Sequence, residues 1–334
     1  MKVLLTMLGG LSGDYTYLED LYNNPPPGVL YDMCLPEEFT RTAGAELKEK
    51  AERCDLIHLH SWFPPCDNSY TAGFFRNLKT PLVCSFTTTV WDCHRLYWKT
   101  TPYVKMAKCL LYSRLVRPKR FIAWSQTAKH RAIKQFNYSP EKIHVLPPFI
   151  KSRPGNAKRA GRNITFGFVG NDFERKGGTL LLRAFKILAE RYADLYLKIV
   201  SSHKMEGGRN IEYHGLKTRD ELFSSFYPEC DIFVLPTTAD FFGMSILEAM
   251  SFGIPIITTD VYAMKEIIDD GKDGFLIPPG NLDALVAKMG ILVENKDLRQ
   301  KMGEEAKNKI SERFNPEMIG KNLKQIYEAC FEDH

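Results

Sequence analysis

The chain has 334 residues, 44% of them hydrophobic and 25% charged, with a formal net charge of +5. That length exceeds one compact core of ordinary size, so two domains are expected, and the composition is that of a soluble globular protein. No stretch has the apolar length of a membrane span, and the eight cysteines form neither a Cys-x-x-Cys pair nor a Cys/His ladder, which argues against structural zinc and a disulfide framework. They read as reduced core thiols of a cytoplasmic protein.

Met1 to Gly10 reads as a first strand rather than a signal peptide. It ends in Gly9-Gly10, followed by Leu11-Ser12-Gly13, a turn where Gly10 lets a phosphate or sugar approach the backbone. The turn lacks the full spacing of a dinucleotide fingerprint. Residues 23–36, with Pro25-Pro26-Pro27-Gly28, read as an irregular crossover. Helix signals return from Glu37 to Arg53, and strands follow at Asp55–Ser61 and Pro81–Thr87. His58 alternates with apolar neighbours and reads as a core residue. His60 lies at the strand's carboxyl end, where ligands bind in such sheets.

Trp91–Arg120 is basic and aromatic at helical spacing, which fits a helix pair with one face on the sheet and one solvated. No acidic residue lies between Asp92 and Glu141, whereas eleven lysines and arginines run from Arg95 to Lys134. Such a face attracts a phosphorylated acceptor or an anionic membrane surface, and no nucleic-acid module accompanies it. Phe121–Ser125 is the next strand, Gln126–Phe136 a helix and Ile143–Pro148 a further strand. Strand and helix thus alternate through residues 1–150, implying a doubly wound parallel sheet.

Residues 151–162 are basic, contain proline and glycine, and have no apolar period, so they read as a linker. The alternation then restarts over 163–315: a strand at Asn163–Gly170, a helix at Gly178–Arg191, strands at Leu195–Val200 and Ile211–His214, and a capping box at Thr218–Glu221 opening a helix to Phe226. Asp231–Pro236 is a strand and Met244–Phe252 a helix ended by Gly253 and Pro255. Further strands at Ile254–Thr259 and Phe275–Ile277 enclose a short helix near Lys265–Ile268, a helix opens at Asn281, and an amphipathic last helix begins at Pro316 within residues 316–334. Two domains of this kind present a cleft as the default active site.

Asp240 leaves the strand at Asp231–Pro236, and Glu248 lies eight residues on, in the helix. Between them the N–H groups at Gly243, Met244 and Ser245, at the helix N-terminus, suit a phosphate. Two hydroxyl-binding carboxylates flanking a pyrophosphate cradle have the shape of a sugar nucleotide. Alone, the pair also fits a solvated loop acid and a helix-surface glutamate.

These residues resemble the family-four (group 1) retaining glycosyltransferases of the GT-B fold, two Rossmann-like doubly wound parallel-sheet domains facing a cleft. The matching pieces are Phe168-Val169-Gly170 to Arg175-Lys176-Gly177, Tyr213–Leu216, Asp231–Pro236, Asp240–Met250, Gly253–Ile257, Glu266-Ile267-Ile268 and Asp273–Ile277, nearly all of 163–285 in order. The first half matches more loosely, through Asp55–Ser61 and Ala123-Trp124-Ser125. The resemblance implies that Arg175 and Lys176 bind the donor diphosphate, that Asp240 meets the donor sugar and Glu248 the ribose diol, with Phe242 to Ser245 lining the donor loop. It further implies that Leu216 offers backbone groups to the base and that the last helix crosses back to the first domain. Side-chain cations then replace a metal, and no cofactor beyond the nucleotide-sugar donor is expected. The sequence departs from the pattern at Asp240, where relatives carry glutamate, at Asn171, at Tyr262-Ala263, at Pro148-Phe149, and at Thr87, where relatives often carry a cleft histidine. His60 and His94 are the candidates to compensate on the acceptor side.

The first reading is a glycosyltransferase acting on a glycan or lipid-linked sugar, cytoplasmic or peripheral at the inner membrane face. The second is a catalytically silent GT-B partner subunit holding a nucleotide sugar or glycan. An epimerase or phosphorylase on the same fold and a nicotinamide oxidoreductase, the latter resting only on Gly9, Gly10 and Gly13, are the remaining alternatives.

Overall fold

A computed structural model of the chain describes residues 1–8, 12–34, 41–61, 79–87, 118–153, 163–203 and 208–332. The chain divides into two compact units, one of residues 1–149 with 316–334, the other of residues 150–315.

The first unit is a six-stranded, wholly parallel sheet. Its strands are β1 (Lys2–Leu8), β2 (Leu30–Cys34), β3 (Leu56–Ser61), β4 (Leu82–Phe86), β5 (Arg120–Ala123) and β6 (Ile143–Val145), in the order β2-β1-β3-β4-β5-β6. Helices α1 (Ser12–Asn23), α2 (Arg41–Glu52) and α3 (Gln126–Phe136) cross over between strands. Strand faces contribute Leu4, Ile57, Leu59, Cys84, Phe121 and Ala123 to a buried cluster that Leu47 and Ala51 of α2 and Ala128 and Ala132 of α3 complete.

The segment 23–36, expected to be irregular, instead holds the end of α1 and strand β2, paired in parallel with β1 from Lys2↔Leu30 to Thr6↔Cys34. The three prolines occupy only the connection between them, where their missing N–H groups are not needed for a ladder. Register with β1, a tertiary constraint, gives the short stretch Leu30–Cys34 its extended form.

The second unit carries β7 (Ile164–Val169), α4 (Gly178–Ala189), β8 (Leu195–Val200), β9 (Ile211–Tyr213), β10 (Ile232–Leu235), α5 (Met244–Ser251), β11 (Ile256–Thr259), α6 (Met264–Ile267), β12 (Gly274–Ile277), α7 (Leu282–Glu294) and α8 (Lys296–Arg313). The Thr218 capping box is formed in both directions and opens a helical stretch that passes from Arg219–Glu221 through a π turn at Leu222–Phe226 to a 3-10 turn at Tyr227–Glu229. Sheet order is β12-β11-β10-β7-β8-β9, all parallel. Counted from β7, this is the order 3-2-1-4-5-6, whose direction reverses between β7 and β10. Helix α8, eighteen residues long, lies where no helix was expected. Its buried residues Met302, Ala306, Lys309 and Ile310 follow helical spacing, but most of its positions are charged or polar.

The last helix, α9 (Pro316–Glu332), belongs to the first unit. Its Tyr327 hydroxyl lies 2.6 Å from Nδ1 of His58 and 3.3 Å from the Tyr31 hydroxyl. His58 is fully buried, with Nε2 2.8 Å from Ser85 Oγ, as its alternation with apolar residues implied. Cys34, Cys54, Cys84, Cys230 and Cys330 are buried and outside any disulfide. No helix among the described residues is long and apolar enough to cross a membrane.

Candidate functional site

Ligands bind open parallel sheets at the carboxyl ends of the strands, where the winding reverses. In the second unit that point lies between β7 and β10, and the loops leaving these two strands carry Arg175 and Lys176 on one side and Asp240 on the other. The two loops are stitched together. The Arg175 carbonyl accepts the Thr238 N–H at 2.8 Å and the hydroxyls of Thr237 and Thr238 at 3.0 and 3.1 Å. The Arg175 guanidinium donates to Asp172 at 2.8 Å and to the Ala239 carbonyl. Gly177 makes this approach possible: its φ is +83°, and a Cβ there would stand 2.1 Å from the Pro236 carbonyl oxygen.

Lys176 and Asp240 form an ion pair through Nζ and Oδ2. The other Asp240 oxygen accepts the Gly243 N–H at 3.2 Å, closing the turn into α5. The shorter aspartate thus bonds its own turn. Burial raises the Asp240 carboxyl, but Lys176, Arg175 and the Gly243 N–H outweigh it and hold the group below the ordinary aspartate value. Asp240 is charged at neutral pH although only 8% exposed.

Helix α5 starts at Gly243, in the left-handed region at φ +70°, and no side chain caps it. Phe242 is buried, whereas Met244 and Ser245 in the first turn are half-buried. Glu248 follows on the same helix, 7% exposed. Its Oε1 accepts from Arg219 Nε at 3.2 Å and its Oε2 from the Tyr227 hydroxyl at 2.8 Å. Burial and the adjacent Glu248 charge push the Tyr227 phenol well above its usual value, so it stays a proton donor. Arg219 and Tyr227 are the residues that the sequence reading missed. They stand 29 and 21 positions before Glu248, with no motif linking them to it.

The structure therefore brings Arg175, Lys176, Asp240, Gly243 and Glu248 to one sheet edge, with the acids already partnered. Leu216, 63% exposed, follows Gly215 in the loop after β9. Tyr262, at one of the departures from the family pattern, takes the left-handed conformation at φ 46°, its ring edge-on to Phe241 at 5.3 Å. In the first unit, His60 is buried, with Nδ1 2.6 Å from Ser85 Oγ and its ring stacked on Trp124. Thr87 is 9% exposed. Gly10, His94 and the basic stretch as far as Arg117 lie outside the described residues. Among the described residues, no cluster of histidine, cysteine and acidic side chains has the makings of a metal site.

Two families match this sequence. The group described as Glycosyl transferases group 1 matches residues 150–309, and Glycosyltransferase Family 4 matches residues 17–152. The capsular polysaccharide biosynthesis glycosyltransferase CapM of Staphylococcus aureus is 25% identical over 235 residues, 64% of this chain and 62% of that protein. An uncharacterized glycosyltransferase of Methanocaldococcus jannaschii, MJ1178, is 32% identical over 174 residues, 50% of this chain and 48% of that one. The chain thus spans only about half to three-fifths of these two relatives. Anabaena Alr3699/HepE in complex with UDP and glucose superposes with a TM-score of 0.76 at 16% identity, over 98% of this chain and 100% of that one. At that identity the likeness establishes the fold, two parallel doubly wound sheets of the GT-B kind.

Proposed function

This chain belongs to the group 1 glycosyl transferases of family four, and from that premise we propose that it moves a sugar from a nucleoside-diphosphate donor to an acceptor hydroxyl with retention at the anomeric carbon. The observation that carries this reading is the convergence of Lys176, Asp240 and the uncapped start of α5, with Glu248 fixed one turn further on. UDP and glucose held by a protein of the same fold support a nucleotide-sugar donor.

As the donor bond breaks, negative charge develops on the leaving diphosphate. Arg175, Lys176 and the first N–H groups of α5 are the preorganised positive groups that stabilise it. Lys176 exchanges Asp240 for a phosphate oxygen, and the released carboxylate accepts from a sugar hydroxyl. Glu248 takes the ribose diol and Leu216 lies beside the base. Positive charge thus comes from side chains and helix N–H groups, with no metal or cofactor in the reading.

The test is calorimetric binding of UDP, GDP and ADP sugars to the wild type and to Glu248→Ala, followed by turnover and the anomeric configuration of the product. One donor should bind, and Glu248→Ala should weaken it roughly 10- to 100-fold, the value of hydrogen bonds to a charged group. Binding without turnover would favour the silent partner subunit; no binding would overturn the donor site.

For the acceptor we propose a glycan or lipid-linked sugar, reached by a cytoplasmic protein at an anionic membrane face through the basic segment before β5. Arg120 is partly diverted from that task, since its guanidinium donates to the carbonyls of Lys119 and Ala329. Arg117→Glu with Lys119→Glu should therefore remove binding to vesicles containing anionic lipid at low salt. Unchanged co-sedimentation counts against a membrane acceptor.

A further inference from the structure

Glu248 is a buried carboxylate, and a buried charge needs a partner whose geometry is fixed. Arg219 supplies the charge and is itself restrained: its guanidinium carbon lies 4.9 Å from the centre of the Phe223 ring, within cation–π range. A second guanidinium, that of Arg153, stands 4.7 Å from the same ring centre. Phe223 packs edge-on to Phe252 at 5.7 Å, and Tyr227 stacks on Phe252 at 5.6 Å. Phe252 closes α5, the helix that carries Glu248. Three aromatic rings therefore fix the helical stretch after Thr218 against the end of α5. The π turn at Leu222–Phe226 lies between Arg219 and Tyr227, in the kind of local distortion that recurs at functional sites.

Together these contacts hold Arg219 on one oxygen of Glu248 and Tyr227 on the other. Each carboxylate oxygen accepts more than one hydrogen bond, so a carboxylate held in this way suits a diol. We infer that Arg219, braced by Phe223, is a positioning residue that fixes the Glu248 carboxylate to receive the two ribose hydroxyls of the donor, and so sets the preference for ribose over deoxyribose nucleotides. This rests on the donor reading given above. On this inference Arg219 acts through Glu248, to which its Nε donates.

The experiment takes whichever of UDP, GDP and ADP the wild type binds, together with its 2′,3′-dideoxy analogue, and measures both affinities for wild type, Arg219→Ala, Glu248→Ala and the double variant. Wild type should prefer the ribose form by roughly 10- to 100-fold, from charge-assisted hydrogen bonds to both hydroxyls. In Arg219→Ala that preference should shrink to about threefold or less, while the dideoxy analogue binds within about threefold of its wild-type affinity, which also shows that the variant is folded. The double variant should bind the ribose form no more weakly than Glu248→Ala, since a residue acting through another adds nothing once that partner is gone. Equal loss of both nucleotides, or additive loss in the double variant, overturns the inference. A wild type that binds none of the three overturns the donor reading itself, a result distinct from any failure of Arg219→Ala.

Discussion

His58 shows how a single buried group sets a pH limit on the whole fold. Burial, and then the neighbouring His60, push the His58 imidazole down from 6.5 to about 3, so the native state keeps it neutral. The unfolded chain takes up that proton below about pH 6.5, whereas the native chain does so only near pH 3. Stability should therefore fall with acidification across this window, by up to about 1.4 kcal/mol per pH unit. Urea unfolding at pH 7, 5.5 and 4 should show that slope in the wild type and lose it in His58→Gln, which carries no titrating ring. An equal slope in both would assign the acid sensitivity elsewhere. The position was legible in the sequence, because alternation placed His58 on a strand's buried side. Its partners were not, since Ser85 and Tyr327 lie 27 and 269 residues away. Asp240 and Glu248 follow the same rule: spacing marked the acids, and only the folded chain shows that Lys176, Arg219 and Tyr227 are their partners. Tyr262 makes the converse point. The family resemblance flagged Tyr262 as a departure, and the structure gives it a left-handed backbone, with the contact to Phe241 offsetting part of a strain on the order of 1 kcal/mol.

Among the elements, α8 is tied to the second unit's sheet by its one buried cation. Lys309, 6% exposed, pairs with Asp269 at 2.7 Å and with the fully buried Asp273, and donates to the Ile267 carbonyl at 2.9 Å. These acids lie between α6 and β12, so one ammonium joins three elements. Lys309→Met should cost about 3–5 kcal/mol, because Asp273 would be left as an uncompensated buried charge. Adding Asp273→Asn should recover part of that loss, and a cost near zero in urea unfolding would mean the cluster is solvated. The same cluster explains why the helix escaped the sequence reading. A charged residue on the buried face removes an apolar signal from a pattern that otherwise has helical spacing. Helix α1 and strand β2 were missed for a different reason: three prolines dominated the local reading, although the fold confines them to a connection. By contrast, strands β7, β10 and β12 were readable as short, mostly apolar runs, as strands covered on both faces are, and β8 remained readable although Lys198 interrupts it.

For the whole molecule, two α/β units with a parallel sheet each were legible from the repeated alternation of strand and helix. The order of strands was not, because it depends on which side each crossover passes, and no local residue pattern records that choice. The assignment of α9 to the first unit has a testable consequence. Ending the chain at Asn315 removes Tyr327, the partner of both His58 and Tyr31, and uncovers apolar surface that Ile319, Leu323 and Ile326 bury. Calorimetric melting of the shortened chain should show the first unit unfolding early, with donor binding retained by residues 150–315. A single unchanged transition would mean that α9 contributes little to the first unit.

The second unit also closes on itself. The Ile150 N–H donates to the Phe314 carbonyl at 2.8 Å, so the backbone enters and leaves this unit at neighbouring points. In an interrupted domain arrangement of this kind the inserted part behaves as a cassette. Both splice points for grafting the corresponding segment of a relative lie at this one clasp, and a transplant joined there leaves the six-stranded sheet of the host and its closing helix untouched. On the donor reading proposed above, such a chimera should bind the donor of the grafted relative while keeping the unit that carries His60, and calorimetric donor binding checks it.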